Sequence, residues 1–151
     1  MSVFEEAFAH ARWKKALREI MKRPEFSDIN LTQMGFSTFD EVIIFVYNHC
    51  KSVKGIGKLV AYDIAAAICK LNNIKIDKVY IIGNGPKRAV QLLGCKCSKH
   101  RVEKGLSLNY VSILDIRTSM FERFGIQLDF GNDNDDADIY ESYICNWQKN
   151  I

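Results

Sequence analysis

Phe4, Phe8, Ala11, Leu17, Ile20 and Met21 recur at spacings near one helical turn, with lysine and arginine between them. This stripe predicts an amphipathic helix from about residue 3 to Lys22. Arg23-Pro24 ends it, because the residue before a proline avoids helical geometry. Residues 24–37 carry turn chemistry in Pro24, Ser27-Asp28, Asn30 and Gly35, and predict a loop or a short helical turn. Ser37-Thr38 then offers an N-cap ahead of the acidic Asp40-Glu41, so a second helix runs from there to Cys50. The alanine-rich stretch Lys58–Leu71 predicts a third helix, ended by Asn72-Asn73. Residues 74–82 alternate only in their first half, and periodicity does not separate a short strand from a buried helical turn there. Further helices are expected up to Leu93, closed by Gly94, then over Val111–Phe124 and Asp138–Trp147. The pattern as a whole predicts an all-α, mainly helical, compact single domain over residues 1–151.

Composition narrows the class. A chain of 151 residues that is 48% hydrophobic with two prolines is long enough for one sizeable core and is neither disordered nor fibrous. The longest apolar runs, Val42–Tyr47 and Val79–Ile82, are far short of a membrane span. The start is acidic (Met1-Ser2-Val3-Phe4-Glu5-Glu6), unlike a secretory leader, so an intracellular, cytoplasmic protein without a membrane partner is expected. Cys50, Cys69, Cys95, Cys97 and Cys145 are odd in number and without framework spacing, and read as reduced thiols. Charge is segregated. Residues 86–104 carry Lys87, Arg88, Lys96, Lys99, Arg101 and Lys104 against Glu103 alone, a net of +5. Residues 129–141 carry Asp129, Asp133, Asp135, Asp136, Asp138 and Glu141, a net of −6. The two segments either pair with each other or leave one to face a polyanion.

The sharpest signal is an internal repeat. Val53-Lys54-Gly55-Ile56-Gly57-Lys58-Leu59-Val60-Ala61 and Ile81-Ile82-Gly83-Asn84-Gly85-Pro86-Lys87-Arg88-Ala89 lie 28 residues apart in the same register. Each is preceded by an apolar segment and followed by a helix. Two glycines separated by one residue permit a tight turn and a close backbone approach to a ligand. The unpaired amides of the following first turn, aided by the helix dipole, form an anion site. A Rossmann reading fails, since the third glycine and the surrounding βαβ pattern are missing.

Gly55-Ile56-Gly57 with Ala61, and Gly85-Pro86-Lys87-Arg88-Ala89, resemble the helix-hairpin-helix family of DNA-binding motifs, over about residues 42–94. Asn84 stands where that family has an apolar residue. The resemblance implies sequence-independent contact with the DNA backbone. One phosphate would sit on the amides of Gly55, Gly57 and Val60, and a second at Gly83, Gly85 and Arg88. Lys54, Lys58, Lys87 and Arg88 would add charge. It also implies a monovalent cation, K+ or Na+, on the carbonyls of Lys51, Val53 and Ile56, with no other cofactor.

Catalysis is the alternative. Helix-hairpin-helix DNA glycosylases place an aspartate shortly after the hairpin, and Asp77 with Lys58 are the matching candidates for a glycosylase- or lyase-like repair enzyme. No histidine follows Asp77, and an N-cap or surface role competes. Cys95-x-Cys97-x-x-His100 has a flavour of zinc, but a second pair of ligands comes only from His49-Cys50, with Cys69 or Cys145 as spares. Free thiols in a basic loop, with lowered pKa and raised reactivity, compete with it. Asp133-Asn134-Asp135-Asp136-Ala137-Asp138, in the acidic loop of residues 129–138, lacks the glycine and terminal glutamate of a calcium loop. It reads as a solvated loop or a cover for the basic segment. His10, Trp13, Tyr110 and Trp147 form no constellation. A third reading keeps the hairpins structural and uses the acidic segment to hold a basic protein partner, or a second copy of the chain.

Overall fold

The computed structural model describes residues 14–151, with side chains from Arg18 onward. The positions that open the first expected helix, and His10 and Trp13, lie outside the described residues. The chain divides into two compact units, residues 1–74 and 75–151.

The described residues of the first unit are helical. Helix α1 (Lys14–Met21) is followed by a 3-10 turn at Pro24–Phe26, α2 (Asp28–Gln33), α3 (Phe39–Cys50) and α4 (Lys58–Leu71). The short α2 lies within the expected loop, started by Ser27, whose hydroxyl accepts the Asn30 N–H. Thr38 caps α3. Its side chain accepts the Glu41 N–H at 3.2 Å and the Glu41 carboxylate accepts the Thr38 N–H at 3.1 Å, so two orphan donors are satisfied reciprocally. Packing of α3 on α4 buries Val42, Ile43 and Val46 with Ala61, Ile64, Ala65 and Ile68. The alanines are what let two helix backbones approach. At the far end of α3, Arg23 Nη1 donates to the His49 carbonyl at 2.8 Å, serving one of the carbonyls a helix terminus leaves open.

The second unit overturns the all-α expectation. It holds a three-stranded antiparallel sheet, order β1-β3-β2, of β1 (Lys78–Tyr80), β2 (Ser98–Glu103) and β3 (Leu106–Ser112). Around it stand α5 (Asn84–Leu93), α6 (Ile113–Phe124) and α7 (Ala137–Trp147). The open segment 74–82 therefore contains a strand, with Val79 opposite Val111 and Tyr80 opposite Tyr110. The expected helix at Val111 begins instead at Ile113, because Val111 is inside β3 and the Ser112 hydroxyl caps α6 through the Asp115 N–H. One face of β3 presents Leu106, Leu108 and Tyr110 and the other Ser107, Asn109 and Val111. That period of two is the local reason it is a strand.

Candidate nucleic-acid interface

The first glycine turn lies between α3 and α4. Val53 N–H donates to the Cys50 carbonyl at 2.9 Å and Ile56 N–H to the Val53 carbonyl at 3.3 Å. Val53 is buried in the turn. Gly55 has φ +95°, a conformation side chains rarely tolerate. Gly57 differs. It is the N-cap of α4 in an extended conformation (φ −96°, ψ −168°), with no side-chain cap on the helix. A methyl group placed on it would meet no heavy atom within 4 Å. The fold does not demand a glycine at 57, and its missing side chain leaves open space in front of the α4 amides.

Beside this opening is a cleft of about 200 Å3 lined by Tyr47, Cys50, Lys51, Ile56, Gly57, Lys58 and Ala61. Lys51, Lys54 and Lys58 are exposed around it, and no acidic residue lies between Glu41 and Asp63. An uncapped helix N-terminus, exposed lysines and room for a ligand are the features that anion binding at a helix end requires. Sequence reading named the lysines and glycines but missed the wall formed by Tyr47 and the Lys51 side chain. An aromatic in the last turn of the preceding helix was the available signal. Of the carbonyls expected to hold a cation, that of Val53 already accepts the Ile56 N–H. The Cys50 thiol behind the cleft is buried, and burial pushes its pKa up to about 11.

The second glycine turn is built differently. It follows β1, not a helix, and opens α5 with Gly83 at φ +87°. A methyl group on Gly85 would lie 2.7 Å from Cys145 Sγ, so this glycine is the contact that seats α5 on α7. Arg88 does not point its charge at solvent alone. Its guanidinium donates to the Gln148 carbonyl, to Gln148 Oε1 at 2.8 Å and to the Ile151 carbonyl at 3.1 Å. Gly85 and Arg88 thus contact the C-terminal segment, Gly83 turns the chain into α5, and Lys87 is exposed.

Asp77 is exposed in the second unit and pairs with Lys78 at 3.4 Å, whereas Lys58 belongs to the first. Among the described residues no group of three or more His, Cys, Asp or Glu is placed to hold a metal ion, so Cys95, Cys97 and His100 are not assembled as zinc ligands. Instead the Tyr80 hydroxyl and His100 Nδ1 are hydrogen-bonded at 2.8 Å, which satisfies a buried phenol. The expected lowering of the Cys97 pKa is also overturned. Partial burial, then the neighbouring Cys95, raise it. The acidic loop is organised locally. The Asp136 side chain caps α7, and Asp135 pairs with Lys75 at 2.6 Å. That contact holds Asp135 below the usual carboxylate range.

Among the described residues no helix is long and apolar enough to cross a membrane. A family model described as amino acid:DNA transferase matches residues 9–151. No curated protein and no solved structure matches the chain significantly.

Proposed function

The chain belongs to the amino acid:DNA transferase family, and from that premise we propose that it binds DNA through backbone phosphates at the α3–α4 turn. In this role it holds the nucleic acid for the transfer after which the family is named. One observation carries the reading. Gly57 opens an uncapped helix N-terminus onto free space, with Lys51, Lys54 and Lys58 around it and no carboxylate in the segment. Amides and lysines recognise phosphate without reading bases, so binding depends weakly on sequence and steeply on salt. A K+ or Na+ ion at the same turn, carried over from the resemblance, would use the carbonyls of Lys51, Val53 and Ile56, of which that of Val53 also accepts the Ile56 N–H.

The test is a salt titration with a fluorescent duplex of about 20 base pairs, comparing wild type with Lys54→Gln/Lys58→Gln. Two phosphate contacts contribute about −1.8 to the slope of log affinity against log salt. The double variant is expected to lose roughly that slope while keeping its circular dichroism. A wild type that binds with a flat salt dependence sinks the reading.

A further inference from the structure

The basic run 86–104 is not absorbed by the α3–α4 turn, and the sheet gives it a shape. In the β2–β3 register Lys99 is opposite Asn109 and Arg101 opposite Ser107. Directly opposed residues share a face, so Lys99, Arg101, Asn109 and Ser107 form one side of the ribbon. The other side carries His100, Leu106, Leu108 and Tyr110. On the basic side Val79 and Val111 lie at the β1 end and are buried. Toward β2 the face is open, with Lys99, Arg101 and Asn109 all exposed. Lys96 and Lys104 flank it, also exposed. Among the described residues neither Lys96, Lys99, Arg101 nor Lys104 has a salt bridge.

Edge strands carry charge to avoid pairing with other chains, and β2 is an edge strand. That role is met by one or two charges of either sign. Here the β2 strand and its flanks carry four cations against Glu103, while six of the unit's acids lie in 129–141, where Asp135 pairs with Lys75 and Asp136 caps α7; Asp77, Asp115 and Glu122 lie outside both segments. Lys99 and Arg101 project from alternate residues, about 6–7 Å apart, comparable with successive phosphates along one strand. A two-stranded ribbon also fits the major groove of duplex DNA.

We infer that this face of the β2–β3 ribbon is a second DNA-binding surface, with Lys99 and Arg101 on the phosphodiester backbone of a duplex and Lys96 and Lys104 extending the contact. It rests on the reading that DNA is the ligand, but not on the α3–α4 turn.

The experiment uses the full chain and the same fluorescent duplex. Lys99→Gln/Arg101→Gln is compared with Lys22→Gln/Lys70→Gln, a pair of exposed lysines outside both surfaces that matches the loss of net charge, and with Gly57→Ala. The ribbon variant is expected to bind at least tenfold more weakly at low salt and to lose about 1.8 from the salt slope, with unchanged circular dichroism. The charge-matched control is expected to stay close to wild type. Equal losses in the two charge variants overturn the ribbon surface. Loss in Gly57→Ala with a normal ribbon variant overturns it while leaving the turn in place. Loss in the ribbon variant with a normal Gly57→Ala supports the surface and removes the turn. A wild type that ignores DNA but binds vesicles of anionic lipid through Lys99 and Arg101 overturns both.

Discussion

One methyl group, added separately to each glycine turn, separates a ligand site from a packing joint. In Gly85→Ala the new carbon starts 2.7 Å from Cys145 Sγ, far inside contact distance. Overpacking of this kind costs about 1–3 kcal/mol. Removing a glycine from a helix returns about 0.5–1 kcal/mol, leaving a net loss centred on about 1 kcal/mol and no larger than about 2.5 kcal/mol. In a unit of this size each kcal/mol lowers the melting temperature by roughly 4–8 °C. Gly57→Ala has ordinary dihedral angles and open space, so its stability is expected within about 0.5 kcal/mol of wild type. Its methyl does, however, stand where a phosphate would approach the α4 amides. Losing a hydrogen bond to a charged group costs about 1.5–3 kcal/mol, or roughly 10–100-fold in affinity. The assays are thermal melts by circular dichroism and anisotropy with a labelled duplex. Gly85→Ala should melt early, and whatever remains folded should bind; Gly57→Ala should melt normally and bind poorly. The reasoning fails if Gly57→Ala binds as wild type does, or if Gly85→Ala melts unchanged.

Arg88→Ala should destabilise the second unit by about 1 kcal/mol or more, since it strips donors from the buried Gln148 and from the Ile151 carbonyl. DNA affinity per folded molecule should not change, and a weakened affinity with a normal melt would return Arg88 to the phosphate role. Thr38→Ala should cost about 1 kcal/mol by breaking the α3 capping box, visible as an earlier melt. Hydrogen bonds from Ser37 and Thr38 hold Glu41 below its ordinary 4.5, so its stabilisation is complete above that pH and fades as acid protonates the folded state. The melting gap between wild type and Glu41→Ala should shrink as the pH falls below 4.5; a gap that widens in acid refutes the assignment. In native protein at pH 8, iodoacetamide should label exposed Cys97 and leave Cys50, buried and raised to about 11, unlabelled until denaturant is added, as peptide mass mapping would show.

What local pattern could reveal tracks the range of the interactions that decide each element. The helices were legible because their signals are local. Thr38 and Glu41 cap α3 from three residues apart, and Gly94 ends α5 where a left-handed residue was expected. The sheet was not, for a different reason in each strand. β1 is three residues long, too short for a period to register. β2 is a polar edge whose lysine and arginine read as charge before they read as alternation. β3 did alternate, from Leu106 to Tyr110, but Val111 was assigned to the helix that follows. The site divides along the same line. Both glycine turns share the Gly-x-Gly spacing and the following alanine, and Asn84 in place of an apolar residue is the local sign that the second departs from the first. They are distinguished by what faces them. Gly57 looks onto open space, whereas Gly85 meets Cys145 and Arg88 reaches Gln148, 60 residues away. A repeat in sequence is therefore a repeat of backbone geometry, and the tertiary neighbour decides whether that geometry is offered to a ligand or closed by the protein itself.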